Sequence, residues 1–365
     1  MKRVFLLFLL LFGGLSPVLG AASGVAELKL KKVGGAMVAY DLAYGSRQVG
    51  AGAAHADVAQ TYDLFLPAPV GKIKAGAPVF LFIHGGAWSS GSKRDGRFLL
   101  AEMASRGFVC ASMNYALCSP RKSGDATFVQ MLQDIDLMVS HLPALFDRIG
   151  LKDVKKIAIG GASAGGHLSL AYAYDGSNPT VMNLGLKHAV PIGCVYSDCG
   201  PADLASPEFA AAGLECVKGP LPGWVGQFSV LAGGNRLDMD FAALVPRIKP
   251  FSPISLIDAK APPTICLYGE SGRVKTDKLM VADFKGGKAP YAELWRVLGA
   301  TAPESIGTDG IVATQSFEAL TNRLTACKVP YAAKLTKYSH CQALARDKKL
   351  RPWLYQEIRD YLTRP

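Results

Sequence analysis

Two short glycine-rich segments hold residues whose types and spacing suit acyl-transfer chemistry. The first, Gly161-Ala162-Ser163-Ala164-Gly165, sets a serine between two glycines in the pattern G-x-S-x-G. An apolar run from Lys156 to Ile159 leads into it, and a helical pattern from about Ala164 to Tyr174 follows. A serine on a sharp strand-to-helix turn projects its Oγ above a sheet as a nucleophile, and flanking glycines supply the space that the turn requires. A helix starting at Ala164 also points free N–H groups at that position, which favours negative charge there. The second segment, His84-Gly85-Gly86-Ala87-Trp88, closes the apolar run Pro78 to Ile83. Two successive residues without bulky side chains let the backbone approach a substrate oxygen. The N–H groups of Gly86, Ala87 and Ala164 are therefore the expected oxyanion hole, an effect worth roughly 3–4 kcal/mol per donor. His84 reads as a residue that orders this loop rather than as a base.

The elements that must position these segments are read from hydropathy. Gln60 to Leu66 alternates polar and apolar residues, the pattern of a half-buried strand. Pro78 to Ile83, Phe108 to Tyr115, Lys156 to Ile159, Val190 to Tyr196, Thr264 to Tyr268 and Ala332 to Tyr338 are apolar runs of strand length. Helical spacing covers Arg97 to Ser105, Thr127 to Ile149, Thr314 to Ala326 and Pro352 to Leu362, with Pro143 expected to divide the second of these. Continuous apolar strands separated by helices imply a largely parallel sheet covered on both faces, in which ligands bind beyond the carboxyl ends of the strands. Both glycine-rich segments lie at such ends.

H-G-G-A-W, G-x-S-x-G and a C-terminal histidine, in that order from about residue 59 onward, resemble the α/β-hydrolase superfamily. The likeness is to its H-G-G-[GA]-W esterases, which include secreted acetyl and feruloyl esterases acting on plant polysaccharides. That resemblance implies one α/β-hydrolase domain over 21–365 and a triad in the order serine, acid, histidine. Of six histidines (His55, His84, His141, His167, His188 and His340), His340 alone follows the last core strand, and it is the expected general base to the nucleophile Ser163. His167 reads as a helix-packing residue, and His141 falls on a surface helix.

The acid departs from the family pattern. After Leu267-Tyr268-Gly269 the expected aspartate position is Gly272, whereas Asp309-Gly310-Ile311-Val312 looks like the same segment resumed further on. A helix, a strand and three short connections between acid and base take roughly 25–35 residues. Asp309 lies 31 residues before His340, Asp277 lies 63 and Glu270 lies 70. Asp309 is therefore the expected acid, with 270–308 as an insertion that could cap the site, carrying a short helix near Tyr291 to Leu298 and a joint at Gly286-Gly287. Asp198, at the end of the preceding strand, is the reserve candidate. A second, irregular stretch from Pro201 to Pro253 is the other insertion near the site, and the resemblance makes it a wall of the substrate pocket.

Composition sets the remaining bounds. With 50% hydrophobic and 19% charged residues in 365, the chain has ample material for a core, and disorder is excluded. Met1-Lys2-Arg3, an apolar run over Val4 to Phe12, and small residues around Gly20 to Ala22 form a signal-peptide pattern over 1–20, so a secreted or periplasmic location is expected, with no stable membrane insertion. The net charge is +11, much of it in 328–365, where nine Lys/Arg face three Asp/Glu. A solvated basic face is the plainer reading, attraction to an acidic polymer or an anionic envelope stands as the alternative, and no nucleic-acid motif accompanies the charge. Eight cysteines permit disulfides in an exported protein without requiring them, with Cys199–Cys216 and Cys327–Cys341 as the pairs to test and Cys110, Cys194 and Cys266 as buried small hydrophobes. No cluster has metal-site spacing, and neither a metal nor a cofactor is expected. The expected function is ester hydrolysis through an acyl-enzyme, on an acetyl or feruloyl carbohydrate ester of small-molecule or polysaccharide type. Small-amide or peptide hydrolysis on the same triad, and a non-catalytic binding module, stand as alternatives.

Overall fold

The computed structural model describes residues 28–46, 60–119, 124–237, 240–278 and 288–364. The leader pattern over 1–20, His55 and the Gly286-Gly287 joint lie outside them. Nine strands form one sheet in the order β1-β2-β3-β5-β4-β8-β9-β10-β13. These are β1 (Lys31–Val33), β2 (Ala36–Ala43), β3 (Thr61–Leu66), β4 (Val79–Ile83), β5 (Val109–Met113), β8 (Ile157–Ala162), β9 (Ile192–Asp198), β10 (Thr264–Gly269) and β13 (Tyr331–Thr336). β1, β2 and β3 pair antiparallel and β3 joins β5 antiparallel, while all pairs from β5 to β13 are parallel. This is the α/β-hydrolase arrangement that the sequence motifs imply.

Side-chain alternation along the strands builds two cores. Val79, Leu81 and Ile83 of β4 face one side with α2 (Phe128–Ile149), α3 (Ala164–Asp175) and α9 (Gln315–Ala326), and Phe80 and Phe82 face the other with α1 (Arg97–Ser105) and α11 (Leu350–Thr363). β3 is buried on both faces rather than half-buried. Its polar residue, Asp63, is fully covered and held by Arg97 at 2.7 Å and Lys93 at 3.5 Å, so the alternation reports an ion-paired interior and not solvent. α2 starts at a Thr127/Gln130 capping box, ends at Gly150 in the left-handed region, and runs unbroken through Pro143. Pro143 lies on the exposed side of the helix, and buried residues on both flanks anchor the two halves to the sheet, so packing outweighs the lost hydrogen bond.

The stretch 201–253 is not irregular. It carries α4 (Pro207–Val217), α5 (Leu221–Leu231) and α6 (Phe241–Ile248), followed by the single turn α7 (Pro253–Leu256). The segment 270–308 holds β11 (Gly272–Lys275) and β12 (Ser305–Thr308), an antiparallel ribbon, with α8 (Glu293–Val297) between them. The two excursions are joined, since Trp295 Nε1 donates to Glu208 at 3.3 Å and the Tyr291 hydroxyl to Glu215 at 3.0 Å. A small ribbon of β6 (Cys118–Ser119) and β7 (Gly124–Asp125), and the turn α10 (Ala343–Arg346), complete the described elements. Among the described residues no helix is long and apolar enough to cross a membrane.

Candidate active site

β8 ends at Ala162 and α3 begins at Ala164, so the whole reversal falls on Ser163, whose backbone takes φ 55° and ψ −123°. That geometry is costly for a residue with a Cβ and is held by its surroundings. Ser163 N–H donates to the Asp198 carbonyl at 2.7 Å, tying the turn to the end of β9. The flanking glycines are required by close approach: a Cβ on Gly161 would stand 2.2 Å from the Ile83 carbonyl oxygen, and one on Gly165 2.1 Å from the same atom. The chain leaving β4 is thereby pressed against the turn, and a Cβ on Gly85 would lie 3.2 Å from that of Ser163.

That chain is the His84–Trp88 loop. Gly86, Ala87 and Trp88 run successively through positive φ, at 109°, 50° and 58°. The N–H groups of Ser89 and Ser90 converge on the Gly86 carbonyl at 3.0 and 2.9 Å, closing a tight turn. The N–H groups of Gly86, Ala87 and Ala164 have no acceptor among the described residues, and they remain available to an anionic oxygen. Trp88 locks the loop from below. Its indole is buried edge-on to Phe128, Phe209 and Phe228, and its Nε1–H donates to His167 Nδ1 at 3.2 Å. His167 Nε2–H donates to the Phe251 carbonyl at 2.9 Å, and complete burial lowers its pKa to about 4, so the ring is a neutral strut. His84 does order the loop: its ring stacks on Tyr115 at 4.3 Å and Nδ1–H donates to the Gly85 carbonyl at 2.7 Å. The Tyr115 hydroxyl in turn donates to the His84 carbonyl at 3.0 Å. Nothing in the sequence marked Tyr115, which lies at the end of an apolar run.

The ribbon β11–β12 accounts for the displaced acid. It leaves the end of β10 and returns to it, and a Cβ on Gly269 would lie 3.2 Å from that of Asp309. Asp309 thus stands beside the carboxyl end of β10 although 39 residues separate it from Glu270. Its Oδ1 accepts from the N–H groups of Ile311 at 2.9 Å and Val312 at 2.8 Å. Its Oδ2 accepts from His340 Nδ1 at 2.8 Å, and its carbonyl takes the His340 N–H at 2.9 Å. Burial opposes charge on His340, but the Asp309 carboxylate and, after it, the Cys199 thiol together outweigh it and raise the imidazole pKa above its ordinary value. His340 Nε2 is buried without a hydrogen-bond partner, Ser163 Oγ included. Catalytic hydrogen bonds are often long in a free enzyme and tighten in complexes.

Asp198 sits at the same end of the sheet, buried, with a pKa raised to about 6 chiefly by desolvation. It does not pair with His340 Nδ1, which Asp309 occupies; its Oδ1 has no hydrogen-bond partner. Its carbonyl accepts from Ser163 N–H and also from Cys341 Sγ, at 3.4 Å, so the serine turn and the histidine loop meet at one oxygen. All eight cysteines are free, and the candidate pairs Cys199–Cys216 and Cys327–Cys341 are not formed. Cys199 and Cys341 instead lie beside His340, with the ligand atoms of all three within 4.8 Å of one another. Sequence spacing gave no sign of this cluster, because its members leave strands β9 and β13 with β10 between them. His141 and His188 are engaged elsewhere, with the Tyr62 hydroxyl at 3.2 Å and the Asp175 carboxylate at 2.9 Å.

Comparison with known proteins places this arrangement. The probable carboxylic ester hydrolase LipM of Mycobacterium tuberculosis is 29% identical over 202 residues, which are 53% of this chain and 41% of that one. The chain spans about half or less of the length of the curated relatives it matches. Esterase B from Lactobacillus rhamnosis superposes with a TM-score of 0.60 at 18% identity, over 91% of this chain and 89% of that one. A truncated carbohydrate esterase from gut microbiota gives 0.57 at 17% identity, over 90% and 96%. These likenesses show the shared fold. The BD-FAE family model matches residues 62–276, taking in the His84–Trp88 loop and the Ser163 turn and stopping inside the excursion that precedes Asp309. The chain belongs to the BD-FAE family of α/β-hydrolase esterases.

Proposed function

We propose that this chain hydrolyses carboxylic esters through an acyl-enzyme on Ser163. The observation that carries the reading is the half-buried His340, oriented through Nδ1 by Asp309 and left with a buried, unpartnered Nε2, at the sheet end where Ser163 is held in its strained turn. Ser163 Oγ attacks the acyl carbon as its proton passes to His340 Nε2, and Asp309 stabilises the resulting imidazolium. The N–H groups of Gly86, Ala87 and Ala164 take the charge that develops on the carbonyl oxygen. Collapse breaks the ester bond and returns the proton to the leaving alcohol. Water, deprotonated by His340, then releases the acid and restores Ser163.

The substrate is an acetyl or feruloyl ester of a carbohydrate, met outside the cytoplasm. The leader pattern over 1–20, the H-G-G-A-W segment and the fold shared with a carbohydrate esterase from gut microbiota support that class. The test is hydrolysis of p-nitrophenyl acetate, longer acyl esters, acetylated xylan and methyl ferulate by wild type and Ser163→Ala. Wild-type turnover of the acetyl or feruloyl substrates, abolished in Ser163→Ala, is expected. Wild type inert on every ester would overturn the function, and activity confined to long-chain esters would overturn the substrate class.

A further inference from the structure

Three side chains that bind soft metals converge at the histidine that the proposed reaction uses as its base. The ligand atoms of Cys199, His340 and Cys341 lie within 4.8 Å of one another. A tetrahedral zinc ion with bonds of roughly 2.0–2.3 Å to nitrogen and sulfur sets its ligands somewhat under 4 Å apart. The three side chains therefore need to close by only about an ångström. His340 already has the environment of a metal-bound imidazole: Nδ1–H donates to Asp309 at 2.8 Å, which fixes the tautomer and leaves the buried, unpartnered Nε2 as the coordinating atom. Both thiol residues are held in the left-handed region, Cys199 at φ 54° and Cys341 at φ 53°. That conformation is uncommon for a residue with a Cβ, and it is kept at both positions.

We infer that Cys199, His340 and Cys341 form an inhibitory site for a soft divalent metal ion of the zinc class. Binding releases the two thiol protons to water, and with them the Nε2 proton of a charged His340, so two thiolates neutralise the dication and His340 contributes Nε2 as a neutral ligand. Three protein ligands leave the fourth position to water or to Ser163 Oγ. The metal occupies the lone pair that would receive the serine proton, and hydrolysis stops until the ion is removed. Inhibition, unlike binding, rests on the role proposed above for His340.

The two parts are read separately on the untagged full chain, reduced with a non-thiol phosphine and freed of phosphine. Titration with Co²⁺ alone is expected to saturate at one ion per chain, with a near-ultraviolet thiolate-to-cobalt band and visible bands of a tetrahedral site. Cys199→Ser and Cys341→Ser should each weaken Co²⁺ binding by more than the roughly 10–100-fold that loss of an outer partner causes. Absence of the thiolate band in reduced wild type, or its survival in the double variant, would overturn the site. Wild-type data alone decide the first point, whatever the variants' folding. Zn²⁺ should inhibit p-nitrophenyl acetate hydrolysis reversibly on chelation, with each variant, scored against its own metal-free rate, at least about tenfold less sensitive. Cobalt bound through both thiolates with hydrolysis undiminished would overturn the inhibitory role and contradict His340 as the base. Inert wild-type enzyme that still shows the band would fault only the proposed hydrolysis.

Discussion

Asp309→Asn is expected to cost about four orders of magnitude in kcat, and the structure says why an almost isosteric change does so much. Asp309 Oδ1 accepts two backbone N–H groups, from Ile311 at 2.9 Å and Val312 at 2.8 Å. An asparagine there must place its carbonyl oxygen on those donors, which turns its NH₂ toward His340 Nδ1. The ring can answer only by accepting at Nδ1 and carrying its proton on Nε2, the nitrogen proposed to receive the serine proton. Stabilising the wrong tautomer in this way is worth about 10⁴ in kcat in a comparable triad, or roughly 5.5 kcal/mol of barrier. Asp309→Ala removes the orienting bond without imposing the wrong tautomer, and should be no worse than Asp309→Asn. Asp198→Asn leaves the His340–Asp309 pair untouched and should cost no more than about tenfold, roughly 1.4 kcal/mol. The assay is kcat and kcat/KM on p-nitrophenyl acetate, with circular dichroism and melting to establish that each variant is folded. Asp309→Asn retaining a tenth of wild-type kcat, or Asp198→Asn being the crippled variant, would refute the reasoning.

Further outcomes follow from the same contacts. Because Asp309 raises the His340 pKa and only the neutral ring accepts a proton, kcat/KM should climb with pH along a limb centred above the ordinary histidine value; in Asp309→Asn the residual limb should move to lower pH, and a wild-type limb below pH 6.5 would contradict this. Gly165→Ala would set a Cβ 2.1 Å from the Ile83 carbonyl oxygen and 2.5 Å from that of His84, so the loop carrying the proposed oxyanion donors must shift; a loss of kcat of at least about 10², the worth of one oxyanion donor, is expected in the folded fraction. Asp63→Ala strips Arg97 and the fully buried Lys93 of a shared carboxylate, leaving Lys93 only Asp41 at 2.6 Å; a loss of about 3 kcal/mol in urea denaturation is expected, and a change under 1 kcal/mol would show the cluster to be dispensable.

Much of this architecture is legible in the sequence, for reasons that particular residues show. Strands buried on both faces, such as Val79–Ile83, write themselves as continuous apolar runs, and their ends mark where the sheet delivers loops to a ligand. The glycines beside Ser163 are readable because backbone crowding leaves no other residue type possible there. The helices of 201–253 were hidden because α5, Leu221–Leu231, is apolar all round and shows no stripe, although Ser206-Pro207 and Asp240 are ordinary helix-start signals. Asp309 could be selected by its distance from His340 along the chain, whereas the ribbon that carries it back to β10 has too little apolar pattern to announce itself. The grouping of Cys199 with Cys341 is a product of strand order, which local sequence does not encode.

The central claim is that Ser163 is an activated nucleophile, and covalent labelling tests it without any assumption about substrate. Folded wild-type protein exposed to a fluorophosphonate probe should gain one adduct, mapped by peptide mass spectrometry to Ser163, with labelling lost on denaturation and in Ser163→Ala and slowed strongly in His340→Ala. A folded protein that takes no label, or takes it at another serine, would contradict the account.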